Sequence, residues 1–182
     1  MKELSLNVLD ITENSVKAGA TLTEILLTES EGVLTIRIRD NGSGMSEEVL
    51  RSVSDPFYTT RTTRRVGLGI PLLTLAAEQT GGSVTITSHQ KTKEDPTSGT
   101  DVCATFHTSH IDCPPLGDMI STVVTLIQGH PERDFLFCHK KASGQIALDT
   151  RELRAVLEDV PLSSFEVLEW IRESLTEQYQ MN

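Results

Sequence analysis

Small and apolar residues recur near the start of the chain at steps of three and four, at Leu4, Val8, Ile11 and Ser15. That period predicts a helix of about four turns with one buried stripe. Asn7, Asp10, Asn14 and Lys17 recur at the same kind of step on a neighbouring stripe, so their side chains point one way. Taken alone, such a stripe reads as a solvated polar face. "AGA" ends the helix, with Gly19 as its C-cap. The period then drops to two. Thr23 to Glu29 and Val33 to Arg39 read as a hairpin joined across "SEG", and Leu34, Ile36 and Ile38 alternate with Thr35, Arg37 and Arg39, as in a sheet with one buried face.

The alternation breaks at Asp40-Asn41-Gly42-Ser43-Gly44, and Ser46 followed by Glu47 and Glu48 opens a short helix with acids near its positive end. After a loop rich in Thr and Arg, "VGLGIPLLTLAAEQTGG" reads as a glycine-rich turn entering a helix, with Pro71 in the first turn and Gly81-Gly82 at the end. "SVTITS" and "TDVCATFHTS" are two further strands, joined by the polar "HQKTKEDPTSG". The paired prolines of "CPPLG" predict a boundary between residues 1–111 and a small α/β unit at 112–182. That unit reads as a helix (Asp118 to Gln128), a strand (Asp134 to His139), a strand (Gln145 to Leu148) and one or two terminal helices. Trp170, at helical spacing from Val167, is expected in the core.

Composition narrows the function classes. The 182 residues are 37% apolar, with no run approaching the length of a membrane span. The N-terminus lacks the unbroken apolar segment and cleavage site of a signal peptide. Three cysteines, Cys103, Cys113 and Cys138, form no disulfide framework, and the expected compartment is the cytoplasm. A net charge of −10 argues against a nucleic-acid or anionic-membrane surface, with "TTRTTRR" (Thr59 to Arg65) as a local exception.

An aspartate ending a buried strand can accept a hydrogen bond from an exocyclic amine, and the glycines after it let a planar ring approach the backbone. "GLG" at Gly67 to Gly69 offers backbone N–H groups at a helix N-terminus, where phosphates bind. The polar stripe of the first helix adds an amide oxygen, a carboxylate and a lysine. Each signal is weak by itself; their order and spacing are specific. In that order the chain resembles the GHKL superfamily of ATP-binding domains, shared by type II topoisomerases, the ninety-kilodalton heat-shock chaperones, histidine kinases and mismatch-repair ATPases. "DITENSVKAGA" matches the N box, "DNGSGM" the DxGxG box, "DPFYTTRTTRRVGLGIPLL" the histidine-kinase lid and GLGL segment, and "SGTDVCATF" the terminal Gly-Thr box, over roughly residues 3 to 108.

The resemblance implies an α+β fold, the two-layer α/β sandwich of the Bergerat type, with a mixed, mostly antiparallel sheet and helices on one face. It implies ATP and Mg²⁺ as ligands. Asn14 would hold Mg²⁺, Asp40 the adenine amino group, and Lys17 a phosphate. Gly42, Gly44 and Met45 would flank the base, with Thr100 near it; Gly67, Leu68 and Gly69 would line the phosphates, and Arg61 or Arg65 would face the γ-phosphate. Asp10 stands where family ATPases carry a glutamate that activates water, one methylene shorter. Histidine kinases place a phosphoacceptor hairpin before the N box, which here begins almost at residue 1, so the phosphoacceptor is expected on another protein. "TRELRAVLE" has Arg151 where a phosphoacceptor histidine would stand and reads as an ordinary amphipathic helix.

A competing constellation, Cys103, His107, His110 and Cys113, has spacing that could seat zinc, but its first two members belong to a strand the family box explains. Two functional classes stay open. One is a stand-alone ATPase or serine-kinase-like protein kinase, similar to the anti-sigma-factor kinases; the other is a nucleotide-dependent binding module. The expected partners are ATP and an unidentified protein docked through 112–182, a homodimer is compatible, and neither nucleic acid nor membrane is expected.

Overall fold

The computed structural model describes residues 3–54, 69–92 and 97–182. Helix α1 (Leu4–Lys17) buries Leu4, Val8, Ile11 and Ser15, the stripe picked out by the period. Its first turn is held from far along the chain. The Leu4 N–H donates to the Pro115 carbonyl (2.9 Å) and the Ser5 N–H to the Leu116 carbonyl (2.8 Å). These are two of the donors that a helix start leaves without internal partners. The helix ends at Ala18, and Gly19 follows with φ +78°, a left-handed turn that costs glycine little.

Hairpin β1 (Leu22–Ser30) and β2 (Val33–Asp40) comes next, then α2 (Glu47–Ser54), α3 (Gly69–Gln79), β3 (Ser83–His89) and β4 (Gly99–His107). Beyond Asp112 the chain adds α4 (Met119–Gly129), β5 (Asp134–Lys141), β6 (Gly144–Asp149), α5 (Thr150–Leu157) and α6 (Phe165–Met181). The strands form one sheet in the order β3-β4-β2-β1-β5-β6. Among the described strands only the β1/β5 pair is parallel, and α4, between β4 and β5, carries the chain back across the sheet so that β5 can run that way.

Register decides which residues meet. Ile25 lies opposite Ile38 and Phe137, while Ile36 lies opposite Leu27 and Ala104, so one sheet face is apolar across these four strands. Leu73, Val123, Ile127, Ile171 and Leu175 come down on it from α3, α4 and α6, joining α1 in a single cluster with Phe106, Phe135 and Phe137. Full burial of one such side chain is worth about 1.5–3 kcal/mol. The result is the expected two-layer sandwich with a mixed, mostly antiparallel sheet. The opposite face carries Glu24, Arg37, Arg39 and Asp101, with Arg37 bonded bidentately to Asp101. Residues 112–182 share this sheet and this core.

Trp170 departs from expectation: it is 52% exposed. Leu168, Ile171 and Leu175 draw the buried stripe of α6 to the far side of Val167, which leaves Trp170 on the flank.

Candidate functional site

β2 ends at Asp40, and register sets it opposite Thr23 on one side and Thr100 on the other. Its Oδ1 accepts from the N–H groups of Gly42 (2.9 Å) and Thr100 (3.2 Å), and its Oδ2 accepts from the Ser15 hydroxyl (2.7 Å). Donors from α1, the turn after β2 and β4 therefore fix the carboxylate plane. Each carboxylate oxygen accepts about two bonds, so among the described residues Oδ2 keeps one lone pair free.

The turn after Asp40 is braced throughout. The Asn41 side-chain carbonyl accepts from the N–H groups of Thr21 (2.8 Å) and Leu22 (3.0 Å), tying the end of β2 to the start of β1. Gly44 has φ +68°, and a Cβ there would overlap the His89 carbonyl. A Cβ on Gly42 would come within 3.0 Å of Ala18. Both glycines thus answer to the chain's own packing. The Ser88 hydroxyl accepts from the Met45 N–H (2.8 Å) and lies 2.9 Å from the Thr100 hydroxyl, while Ser98 donates to the Gly42 carbonyl (2.6 Å).

The α1 stripe lies beside this turn. Asp10 and Lys17 are exposed and Asn14 is half-buried. Gly69, the first residue of α3, is so close to α1 that a Cβ there would stand 3.1 Å from the Asp10 Cβ. The start of α3, where the first N–H groups have no carbonyl within their own helix, therefore abuts the Asp10 turn of α1. Glu13 points elsewhere: its Oε1 lies 2.9 Å from Nε2 of His130, in the loop after α4. Arg61, Arg65, Gly67 and Leu68 fall outside the described residues.

The cysteine–histidine constellation does not assemble. Cys103 faces the open side of the sheet beside Arg37 and Thr85, where burial pushes its thiol up, and Cys113 sits against the Pro114 carbonyl. Among the described residues, no group of three His, Cys, Asp or Glu side chains could hold a metal ion. Nor is any helix there long and apolar enough to cross a membrane.

Residues 2–110 match the family model of histidine kinase-, DNA gyrase B- and HSP90-like ATPases. The chain belongs to this family. Over 113 residues it is 34% identical to the tetrathionate sensor histidine kinase TtrS of Salmonella typhimurium, covering 62% of this chain and 18% of that protein. Over 89 residues it is 29% identical to sporulation kinase A of Bacillus subtilis, covering 49% of this chain and 14% of the kinase. The chain thus spans under a fifth of the length of either relative. The ATPase domain of Aquifex aeolicus MutL, solved with ADP, superposes over 95% of this chain and 68% of its own with a TM-score of 0.52 at 13% identity, a likeness of fold.

Membership in this ATPase family supports ATP binding, and the donor set fits: an oriented carboxylate with a spare acceptor on one side, and a helix start against a polar stripe on the other. Sequence reasoning missed the braces. In the sequence Ser15 reads as one small residue of a buried stripe, though a hydroxyl at a buried position usually finds a partner, and that is the available signal. Ser88, Ser98 and His130 gave no local signal, because their partners lie far off in the chain.

Proposed function

We propose that this chain binds ATP with Mg²⁺ and acts as a stand-alone ATPase or serine-kinase-like protein kinase on a separate protein. The observation that carries the reading is the Asp40 carboxylate, fixed by Ser15, Gly42 and Thr100 with one acceptor unspent, at the same end of the sheet as Asp10 and Asn14. Asp40 would take the adenine amino group, with Gly42, Gly44, Met45 and Thr100 around the base. Asn14 would hold Mg²⁺. Lys17, Gly69, Gly67, Leu68 and either Arg61 or Arg65 of the lid would meet the phosphates. Asp10 would take the proton from water or a substrate hydroxyl as its oxygen attacks the γ-phosphorus and ADP leaves.

Residues 1–111 would carry the nucleotide and residues 112–182 the partner. Supporting this division, the second segment touches α1 at its first turn, through Pro115 and Leu116, and again at Glu13, through His130. The cytoplasm is the compartment we assign, from three free cysteines. A second reading, a nucleotide-dependent binding module with little turnover, draws on Asp10 standing where family ATPases carry glutamate.

Phosphate release from the full chain, with and without candidate protein acceptors, separates the two. In the enzyme, Asp10→Asn cuts turnover by about 10² or more while ATP affinity holds. Asp10→Glu raises hydrolysis, and Asn14→Ala abolishes the metal dependence. A parent with no turnover, unchanged by either substitution at Asp10, assigns the chain to the binding module.

A further inference from the structure

The two outer strands of the sheet are finished differently. At β6 the Gln178 side chain of α6 lies along the edge: its Oε1 accepts from the Ala147 N–H (2.8 Å) and its Nε2 donates to the Ala147 carbonyl (3.2 Å). The C-terminal Asn182 closes the same edge, with its backbone carbonyl against the Ser143 hydroxyl. Among the described residues nothing comparable covers Ser83–Thr87 of β3, whose far end alone is met by the Gly44–Met45 turn at Ser88 and His89. Among the described residues, β4 is the only backbone partner of Ser83–His89, and Ser83, Thr85 and Thr87 are exposed. Natural sheets blunt such edges with charge, proline or a bulge, and "SVTITS" has no charged residue and no proline.

We infer that β3 is a self-association edge, pairing antiparallel with β3 of a second copy of this chain about a two-fold axis through Thr85. The strand is nearly palindromic about that residue. Thr85 would face the partner's Thr85, Val84 the partner's Ile86, and Ser83 the partner's Thr87. Every pair keeps to one face: Val84 and Ile86 are half-buried against the core, so the seam continues the apolar layer, while the threonines stay on the open face. β-branched residues directly opposite one another are favourable cross-strand pairs.

Charge does not oppose this occupant along the strand itself. A chain of net charge −10 repels its copy over most of its surface, yet this edge brings no like charges together. On the neighbouring strands Arg37 and Asp101 neutralise each other. His89 falls beyond the symmetric register. A pair of seven-residue strands is smaller than a standard interface, so the dimer is expected to be concentration-dependent.

Sedimentation velocity of the full chain over a concentration series tests this. The parent shifts from monomer to dimer, and Thr85→Lys, which sets two ammonium groups opposite each other at the axis, weakens the dimer at least about tenfold without changing ATP affinity or melting temperature. Register is tested by oxidation in a Cys103→Ser background, because Cys103 lies opposite Thr85 on β4. There Thr85→Cys cross-links two copies through residue 85 and Thr87→Cys does not. A parent that is monomeric throughout, a dimer that survives Thr85→Lys, or a cross-link through residue 87 overturns the proposal. Protection of β3 amides only in the presence of another protein would hand the edge to that protein's strand.

Discussion

Two polar clusters sit at opposite ends of the same sheet, and their valences differ. At one end Asp40 accepts three hydrogen bonds and keeps a fourth acceptor open. At the other, His139 is 1% exposed and both its ring nitrogens are used, Nδ1 with the Tyr179 hydroxyl (2.9 Å) and Nε2 with Glu29 (2.9 Å). With the Glu29 carboxylate accepting, Nε2 carries the proton and Nδ1 accepts from Tyr179. That cluster is closed. It fastens α6 to β1 and β5, whereas the open one is built to receive something. An unspent acceptor in a rigid frame marks a site; a saturated one marks a fastening.

The largest effect is expected at the open cluster. Asp40→Ala strands the N–H groups of Gly42 and Thr100, leaves the Ser15 hydroxyl only its longer bond to the Ile11 carbonyl (3.4 Å), and removes the proposed adenine acceptor, so ATP affinity falls by about 10² or more and stability by about 2–3 kcal/mol. Calorimetry and thermal melting measure the two together. Unchanged affinity would show that the open valence at Asp40 is not where the base binds.

The closed cluster should behave in the opposite way. His139→Leu costs stability, about 1–2 kcal/mol, and leaves ATP affinity as it was. Its pH dependence has a definite sign. Burial holds the His139 imidazole below its ordinary value, helped by Lys141, against the pull of the Glu29 charge. The unfolded chain therefore takes up the proton first, and stability is lost as pH falls from about 6.5. Burial pushes the Tyr179 hydroxyl up to about 12, so stability is also lost as pH rises from about 10 toward that value. His139→Leu should flatten the acid limb and Tyr179→Phe the alkaline one. If neither limb moves, the cluster is not the fastening it is described as.

The difference between these clusters also governs what was legible beforehand. Helix α1 and the hairpin β1/β2 were plain from periods of 3.6 and 2, and Asp40 from the glycines that follow it, because those signals are local. The closed cluster was invisible, since Glu29, His139 and Tyr179 come from three elements brought together only by the parallel β1/β5 pairing and the packing of α6 on the sheet. Trp170 failed for a related reason: its period with Val167 is real, but the centre of the buried stripe is set by the sheet beneath α6. The glycines were found for an incomplete reason, as Gly42 and Gly44 already lack room for a Cβ against Ala18 and His89.

Ser15→Ala separates the frame from the acceptor. The substitution removes one of three donors to Asp40 and leaves no buried group unpaired, because the freed lone pair of Oδ2 faces the site. A hydrogen bond to a carboxylate is worth about 1.5–3 kcal/mol at most, so a drop of about tenfold in ATP affinity with a smaller loss of stability is expected. A loss as large as that of Asp40→Ala would mean that orientation of the carboxylate, more than its charge, holds the base.

The smallest effect is expected where the two parts of the chain meet beside the site. His130 and Glu13 have side chains 23% and 33% exposed, so their pair is half-buried yet still reached by water, and it contributes on the order of 0.5–1 kcal/mol. The loop that carries His130 is held independently, by Arg154 donating to the Pro131 and Arg133 carbonyls and to Asp134. His130→Ala should therefore leave the fold and the melting temperature nearly unchanged. Glu13 is adjacent to Asn14, however, so a shift of α1 would reach the proposed Mg²⁺ ligand first. A change of about twofold to threefold in Mg²⁺-dependent ATP affinity, restored by His130→Gln, which can still donate to Glu13, would show that residues 112–182 tune the nucleotide end through this contact. An effect on affinity that matched the effect on stability, with no recovery in the glutamine variant, would reduce the contact to packing and leave the first turn of α1 as the remaining route between the two segments.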